Sequence, residues 1–183
     1  MTVILLAILA VLLVAIVLMF NRMIRLRNHT RSSWSDVDVA LKRRAELVPN
    51  LVETVKGYAT HEQQTIEQVT KARAESEAAH NVPAQGQAEG ELSTALRRLM
   101  AVAENYPDLK ASNNFLELQK QLATTEDRIA ITRQVYNDTV QTYENAREQF
   151  PSSLVASLFA FKEVEFFRPD DPSDRDLVAV KTA

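Results

Sequence analysis

The first hydrophobic pattern in the chain is an unbroken run of apolar residues from Val3 to Phe20. As a helix of about 18 residues it would extend roughly 27 Å, which is close to the thickness of the hydrocarbon core of a bilayer. The run is longer than the roughly 7–15 apolar residues of a signal peptide, and no basic residue precedes it. We therefore predict an uncleaved transmembrane anchor over residues 1–21 rather than a cleaved signal peptide.

The second pattern is amphipathic, because apolar residues recur at helical spacing with charged residues between them. Such spacing places one apolar stripe along a helix. The stripe consists of Trp34, Val37, Leu41, Ala45, Val48, Val52, Val55, Ala59, Ile66 and Val69. No turn residues separate the anchor from the stripe, and the stripe keeps its phase across Pro49. It predicts one helix over about residues 22–78, continuous with the anchor and kinked at the proline, with Asn50 helping to solvate the freed carbonyls.

Two shorter elements follow the long helix. Residues 80–90 contain one proline and two of the three glycines of the chain, and this composition predicts a loop. Apolar residues then resume at helical spacing, which predicts a short helix over about residues 91–106. Pro107 is expected to end this helix and to begin a turn that reaches Asn113.

The clearest periodicity is a heptad repeat that predicts a helix over about residues 113–149, with Asn114 as its expected N-cap. Large side chains occupy every seventh position: Phe115, Leu122, Ile129, Tyr136, Tyr143 and Phe150. The alternate core positions hold Leu118, Thr125, Thr132, Thr139 and Ala146. Alternating large and small residues favour close antiparallel packing, of the coiled-coil kind, against the first helix of the same chain.

The C-terminal region predicts a short helix over about residues 151–161, opened by Pro151, and then an exposed tail over residues 168–183. The predicted fold is therefore all-α. A transmembrane helix continues into an antiparallel up-and-down helical bundle over residues 22–167, in which helices of different length are followed by a short fourth one.

Composition narrows the possible functions. The chain has no cysteine, which excludes disulfides, thiolate metal ligands and a cysteine nucleophile. The formal net charge is −3, but the first 31 residues contain four arginines and no acid, so the remainder carries −7. An acidic domain of this kind predicts no binding to nucleic acid.

The four arginines that follow the apolar run are the candidate membrane-surface and topology residues: Arg22, Arg25, Arg27 and Arg31. The positive-inside rule predicts that this side of the anchor faces the cytoplasm and that the N-terminus lies outside. The same side chains could also contact anionic lipid headgroups.

The sequence contains no complete motif for catalysis or metal binding among those considered below. His61-Glu62 begins a zinc-protease motif, which needs a second histidine four residues after the first, but that position holds Thr65. No glycine-rich phosphate loop and no Gly-x-Ser-x-Gly elbow occur. We therefore predict no catalytic residues, no metal and no cofactor, and a protein that is not an enzyme.

A basic triplet on the first helix, Lys42-Arg43-Arg44, is the strongest candidate for a protein contact. It could bind an acidic partner or a neighbouring subunit. Alternatively, it is a solvated helix face whose side chains pair with the nearby acids Asp36, Asp38 and Glu46, or extend across the core. His61 and Glu62 are the other candidate contact residues.

The stretch from Trp34 to Glu62 resembles the LemA family of bacterial membrane proteins. The resemblance is carried by Trp34, Val37-Asp38, Leu41-Lys42-Arg43-Arg44, Leu47-Val48-Pro49-Asn50-Leu51-Val52, Lys56-Gly57-Tyr58 and His61-Glu62, and later by Tyr136-Asn137 and Phe150-Pro151. It implies a single span of the bacterial inner membrane and a helical-bundle domain, oriented N-out and C-in. It implies no known catalysis. Members of the family are linked to envelope stress, to a membrane metalloprotease, and to shaping internal membranes in magnetosome-forming bacteria.

Two functional hypotheses follow. In the first, the chain is a non-enzymatic scaffold that contacts membrane lipids and forms homo-oligomers. In the second, it is an adaptor for a membrane protease or another envelope machine.

Overall fold

The fold is all-α, as the sequence predicts. The computed structural model describes residues 1–59 and 61–168, and no strand occurs in these two segments. The helices are α1 (Thr2–Lys56), α2 (Gln63–Ala78), α3 (Val82–Ala103), α4 (Pro107–Lys110), α5 (Asn113–Glu148) and α6 (Ser152–Leu158). The predicted tail over residues 168–183 lies, apart from Arg168, outside the described residues. The boundaries predicted after residues 21 and 167 stay predictions.

Helix α1 runs without a break from the apolar segment into the amphipathic stripe, as predicted, and contains Pro49. Because proline has no N–H group, the carbonyl of Ala45 lacks its usual partner within the helix. Arg73 of α2 supplies the missing donor, since its Nε lies 2.9 Å from the Ala45 oxygen. A side chain from another helix, rather than Asn50 beside the proline, therefore satisfies the carbonyl that Pro49 leaves open.

The prediction of one helix to residue 78 is wrong at its C-terminal end. Helix α1 ends at Lys56, Gly57 follows in a turn, and α2 begins at Gln63. Glycine weakens a helix because it has more backbone freedom to lose than any other residue. The contact between Arg73 and Ala45 shows that α2 folds back along α1. The stripe keeps its phase because α2 buries Ile66 and Val69 in the same core after the reversal.

The predicted loop over residues 80–90 is also wrong, because α3 already begins at Val82. The side chain of Asn81 caps the helix by accepting a hydrogen bond of 2.9 Å from the Ala84 N–H. Pro83 lies in the first turn, where the missing N–H has no cost. The two glycines, Gly86 and Gly90, are buried in the helix, where the lack of a side chain permits close packing. The short helix predicted over residues 91–106 is therefore the second half of α3.

The predicted heptad helix is confirmed as α5, with two differences at its ends. Asn113 is the first helical residue, so Asn114 is not the N-cap; its side chain instead donates to the Thr54 hydroxyl at 3.1 Å. Phe150 lies beyond the last turn and is exposed rather than buried. Pro107 opens the one-turn helix α4 within the predicted turn, and the predicted helix over 151–161 is the shorter α6.

Residue contacts divide the chain into two compact units. Among the described residues, unit 1 contains residues 1–36 and 134–165, and unit 2 contains residues 37–133 and 166–168. The core of unit 1 is formed by Met23, Tyr143, Ala146, Ala156 and Phe161, with Phe20, Ile24, Leu26 and Val164 packed against it. The core of unit 2 joins apolar residues of α1, α2, α3, α4 and α5.

Candidate functional site

The N-terminal half of α1 has the properties expected of a membrane span. Among the described helices, α1 is long and apolar enough to cross a membrane, as judged by length and composition. Its most apolar 18-residue window has a mean hydropathy of 3.5, and none of that window is buried by the rest of the chain. An apolar helix that the protein itself leaves uncovered indicates a membrane-associated protein.

The predicted membrane-surface arginines occupy different environments in unit 1. Arg22, Arg25 and Arg31 are exposed. Arg27 is partly buried, and its guanidinium carbon lies 5.5 Å from the centroid of the Phe161 ring. Three of the four arginines are therefore available to a charged surface, whereas Arg27 packs against an aromatic side chain of its own unit.

The basic triplet separates into two exposed residues and one buried residue. Lys42 pairs with Asp38 at 2.7 Å, and Arg43 pairs with Glu46 at 3.5 Å, as the solvated-face alternative expected. Arg44 is buried, so it cannot belong to the exposed contact surface that the sequence suggested. The reason is helical spacing, because Arg44 lies on the stripe that faces the core.

Arg44 is the centre of a polar network inside unit 2. Its Nη1 donates to the Ser93 hydroxyl at 2.8 Å and to the Glu126 carboxylate at 2.8 and 3.0 Å. Its Nη2 donates to the carboxylate of Glu89, which is also buried. The other oxygen of Glu89 accepts hydrogen bonds from Ser76 at 2.5 Å and from the side-chain amide of Gln85 at 2.8 Å.

This Arg44 network joins four helices: α1, α2, α3 and α5. A charge inside a protein is tolerated when it is paired and hydrogen-bonded, and both oxygens of Glu89 have partners. The arrangement is suited to fixing the register of the helices around Arg44. Helical spacing indicates that Arg44 faces the core, since it follows Leu41 by three residues and precedes Val48 by four, but no pattern along the chain indicates its partners.

A cavity of about 670 Å³ lies against the network in unit 2. Charged side chains of Arg97, Glu104 and Arg133 line it together with apolar side chains that include Leu96 and Phe167. Within residues 1–59 and 61–168, no group of three His, Cys, Asp or Glu residues is placed to hold a metal ion.

Two tyrosines of the heptad anchor the chain that follows α6 in unit 1. The hydroxyl of Tyr136 donates to the Glu165 carbonyl at 2.8 Å, and the hydroxyl of Tyr143 donates to the Lys162 carbonyl at 2.7 Å. Burial, followed by the charge of Glu165, raises the pKa of Tyr136 to about 12. Burial, followed by the charge of Glu144, also raises the pKa of Tyr143. Both hydroxyls therefore remain donors at neutral pH, and sequence periodicity gave no indication of this role.

The remaining predicted contact residues lie apart from the network. His61 is exposed, and Glu62 is partly buried, with an oxygen 3.4 Å from the Tyr106 hydroxyl. Desolvation, followed by the charge of Glu62 and then by this hydrogen bond, raises the pKa of Tyr106. Whether Lys42, Arg43, His61 and Glu62 contact a partner stays a prediction.

Comparison with known proteins places this architecture in a family. Magnetosome protein MamQ of Magnetospirillum gryphiswaldense is 26% identical, over 87% of this chain and 68% of its own length. Magnetosome protein MamQ 2 of Paramagnetospirillum magneticum is 25% identical over the same shares. Protein LemA of Metamycoplasma hominis is 24% identical, over 82% of this chain and 69% of its own length. Residues 33–181 match the LemA family, and the chain therefore belongs to that family.

Proposed function

We propose that this protein is a non-enzymatic, single-pass membrane protein whose helical domain self-associates as a scaffold at the membrane. The observation that carries the proposal is α1, which is one helix from Thr2 to Lys56. The helix that would cross the bilayer thus also contributes side chains to the cores of the protein. Within unit 1 the span continues into the packed part of the helix with no linker in between.

The proposed orientation has the N-terminus outside and the domain in the cytoplasm of a bacterium, at its inner membrane. The exposed Arg22, Arg25 and Arg31 support this orientation through the positive-inside rule. Because the chain has no cysteine, a single cysteine at the exposed His80 would give an unambiguous topology probe. A membrane-impermeant maleimide should label His80→Cys only after the membrane is opened. Labelling in intact cells would contradict the orientation.

Self-association is tested on the full-length chain of 20.6 kDa after gentle solubilisation. Mass photometry and negative-stain imaging should show a uniform particle of many subunits, and cross-linking in intact membranes should give the same ladder. Repeated weak contacts between arginines and headgroups would then gain strength through effective concentration. The names of two compared relatives identify them as magnetosome proteins, and we propose a membrane-organising role by analogy with them. Monomers at native membrane density would contradict the scaffold.

A second candidate function, an adaptor for a membrane protease or another envelope machine, is favoured by a groove on unit 2. The groove has a volume of about 490 Å³ and is lined by Val39, Arg43, Lys120 and Arg128, among others. Val39 is an exposed apolar residue, and the groove is also lined by three basic side chains and one acidic one, Glu117, so its lining is net positive. A groove of this kind suits an acidic segment with an apolar anchor.

Charge reversal tests the adaptor. The double variant Arg43→Glu and Lys120→Glu should lose a specific partner that co-purifies with the full-length protein, while its helicity stays unchanged. Lys71→Glu is the matched control, because Lys71 is an exposed lysine of the same unit that does not line this groove. An identical set of partners for both variants would contradict a role of the groove in an adaptor.

A further inference from the structure

Helix α6 exposes an apolar face that the rest of unit 1 does not cover. Its inner face is buried through Ser152, Val155 and Ala156. Leu154 and Leu158 are four residues apart, so they share the outer face, and they are 64% and 73% exposed. Two exposed phenylalanines flank the helix, Phe150 and Phe159. We call these four side chains, Phe150, Leu154, Leu158 and Phe159, the α6 apolar cluster.

The sequence around the cluster carries no charge. No Asp, Glu, Lys or Arg occurs between Glu148 and Lys162. Several large exposed apolar side chains within one uncharged segment indicate a surface with a partner, whereas single exposed ones need no explanation. The cluster therefore requires an apolar occupant, and its location decides which one.

The cluster lies beside the end of the apolar run of α1. The ring centroids of Phe159 and Phe20 are 4.7 Å apart, and Phe20 is the last residue of that run. Phe161 also contacts Phe20, at 5.7 Å between ring centroids. The exposed Arg22 and Arg25 follow Phe20 within two turns of helix. Phe and Leu side chains close to basic residues are the composition by which helices enter the boundary between acyl chains and headgroups.

We propose that the α6 apolar cluster inserts into the bilayer interface at the cytoplasmic end of the span, so that its occupant is lipid. The side chains would lie among the upper acyl chains, while Arg22 and Arg25 contact the anionic headgroups above them. A membrane occupant explains why the uncharged cluster is continuous with the apolar run through Phe20. Two contacts with the bilayer, the span and α6, would prevent unit 1 from rotating about the axis of the span. The inference rests on the proposed membrane anchor.

The test measures the depth of labels in the full-length protein, reconstituted as one copy per nanodisc that contains anionic lipid. The chain has no cysteine, so Leu154→Cys or Leu158→Cys can be labelled singly with an environment-sensitive fluorophore. Ile131→Cys is the matched control, because Ile131 is a helical aliphatic residue that is 63% exposed. Leu12→Cys reports on the anchor itself. The emission of Trp34, the only tryptophan, checks that each variant remains folded.

The fluorophores at positions 154 and 158 should show blue-shifted emission. Lipids brominated near the interface should quench them severalfold more strongly than they quench the fluorophore at position 131. If the Leu12 label is quenched but the α6 labels behave like the Ile131 label, the interfacial role is overturned and the anchor stands. If no label is quenched, including that at Leu12, the anchor itself is overturned. If the emission of the α6 labels is blue-shifted only when several copies share a membrane, a second copy is the occupant. That result would also overturn the proposal.

Discussion

The contact between Arg73 and the Ala45 carbonyl makes a quantitative prediction about how α1 tolerates a proline in its interior. Pro49 cannot donate to that carbonyl, and the Arg73 Nε replaces the lost donor at 2.9 Å. Arg73→Met keeps much of the apolar stem and removes the donor. A carbonyl left without a partner costs about 1–3 kcal/mol, and water can reach a partly exposed site. We expect Arg73→Met to lower the free energy of unfolding by about 1–2 kcal/mol.

The decisive comparison is a double-mutant cycle with Pro49→Ala. Alanine at position 49 restores a backbone N–H that can donate to Ala45, so Arg73 is no longer the sole donor. In that background Arg73→Met should cost about 0.5 kcal/mol or less, which gives a coupling energy of about 1 kcal/mol. The free energies would be measured by urea unfolding of the full-length protein in mild detergent, followed by far-ultraviolet circular dichroism.

Two controls separate the carbonyl contact from surface ion pairs. Lys71→Met removes an exposed lysine that pairs with Glu75 on the same helix, and it should change stability by at most about 0.5 kcal/mol. Glu77→Gln removes the ion-pair partner of Arg73, at 2.7 Å, without touching the Ala45 contact. If Arg73→Met costs the same with proline and with alanine at position 49, or if Glu77→Gln costs as much, the explanation is wrong.

Further predictions concern the buried network, the tyrosines and the turn after α1. Arg44→Met should lower the free energy of unfolding by about 3–5 kcal/mol in the same assay, because Glu89 keeps a buried charge without its partner. The control Arg43→Met should change the free energy of unfolding by at most about 0.5 kcal/mol. The folded pKa of Tyr136 is about 12, above its ordinary value of 10.0, so its contribution to stability is complete below pH 10 and is lost as the pH rises through 12. The free energy of unfolding, measured between pH 9 and 12, should fall with pH, and it should fall less steeply in Tyr136→Phe. The same pH dependence in both proteins would contradict this prediction. Gly57→Ala should leave stability unchanged or raise it by about 0.4–1 kcal/mol in thermal unfolding. The reason is that a Cβ at position 57 would lie 3.5 Å from the nearest atom, which is an ordinary contact. A marked loss of stability would show that the turn needs glycine.

The ends of the helices show where local signals suffice and where they fail. Asn81 and Pro83 carried a correct helix-start signal, which the neighbouring glycines obscured because glycine also marks loops. Gly86 and Gly90 are nevertheless buried residues inside α3. Whether a glycine breaks a helix or packs within one depends on its neighbours in space, and spacing along the chain does not contain that information.

The candidate site was predictable only in part. The exposed pairs of Lys42 and Arg43 follow from i,i+3 and i,i+4 spacing on one helix, so the sequence contained them. The pairing of Arg44 with Glu89 joins residues on different helices, so no local pattern could select that acid from the others. The exposure of Leu154 and Leu158 was also beyond prediction, because α6 has apolar residues on both faces and only packing decides which face is covered.

The long helices follow from interactions between residues that are close together along the chain. A long apolar run, sparse glycine and proline, and apolar residues at helical spacing are enough to specify α1 and α5, since helix formation and amphipathicity are set within a few turns. Only the tertiary structure decided the reversal between α1 and α2, the donor that compensates Pro49, the partner of Arg44 and the outward face of α6. Each of these depends on contacts between residues distant in the chain, where one apolar stripe can be buried in more than one arrangement.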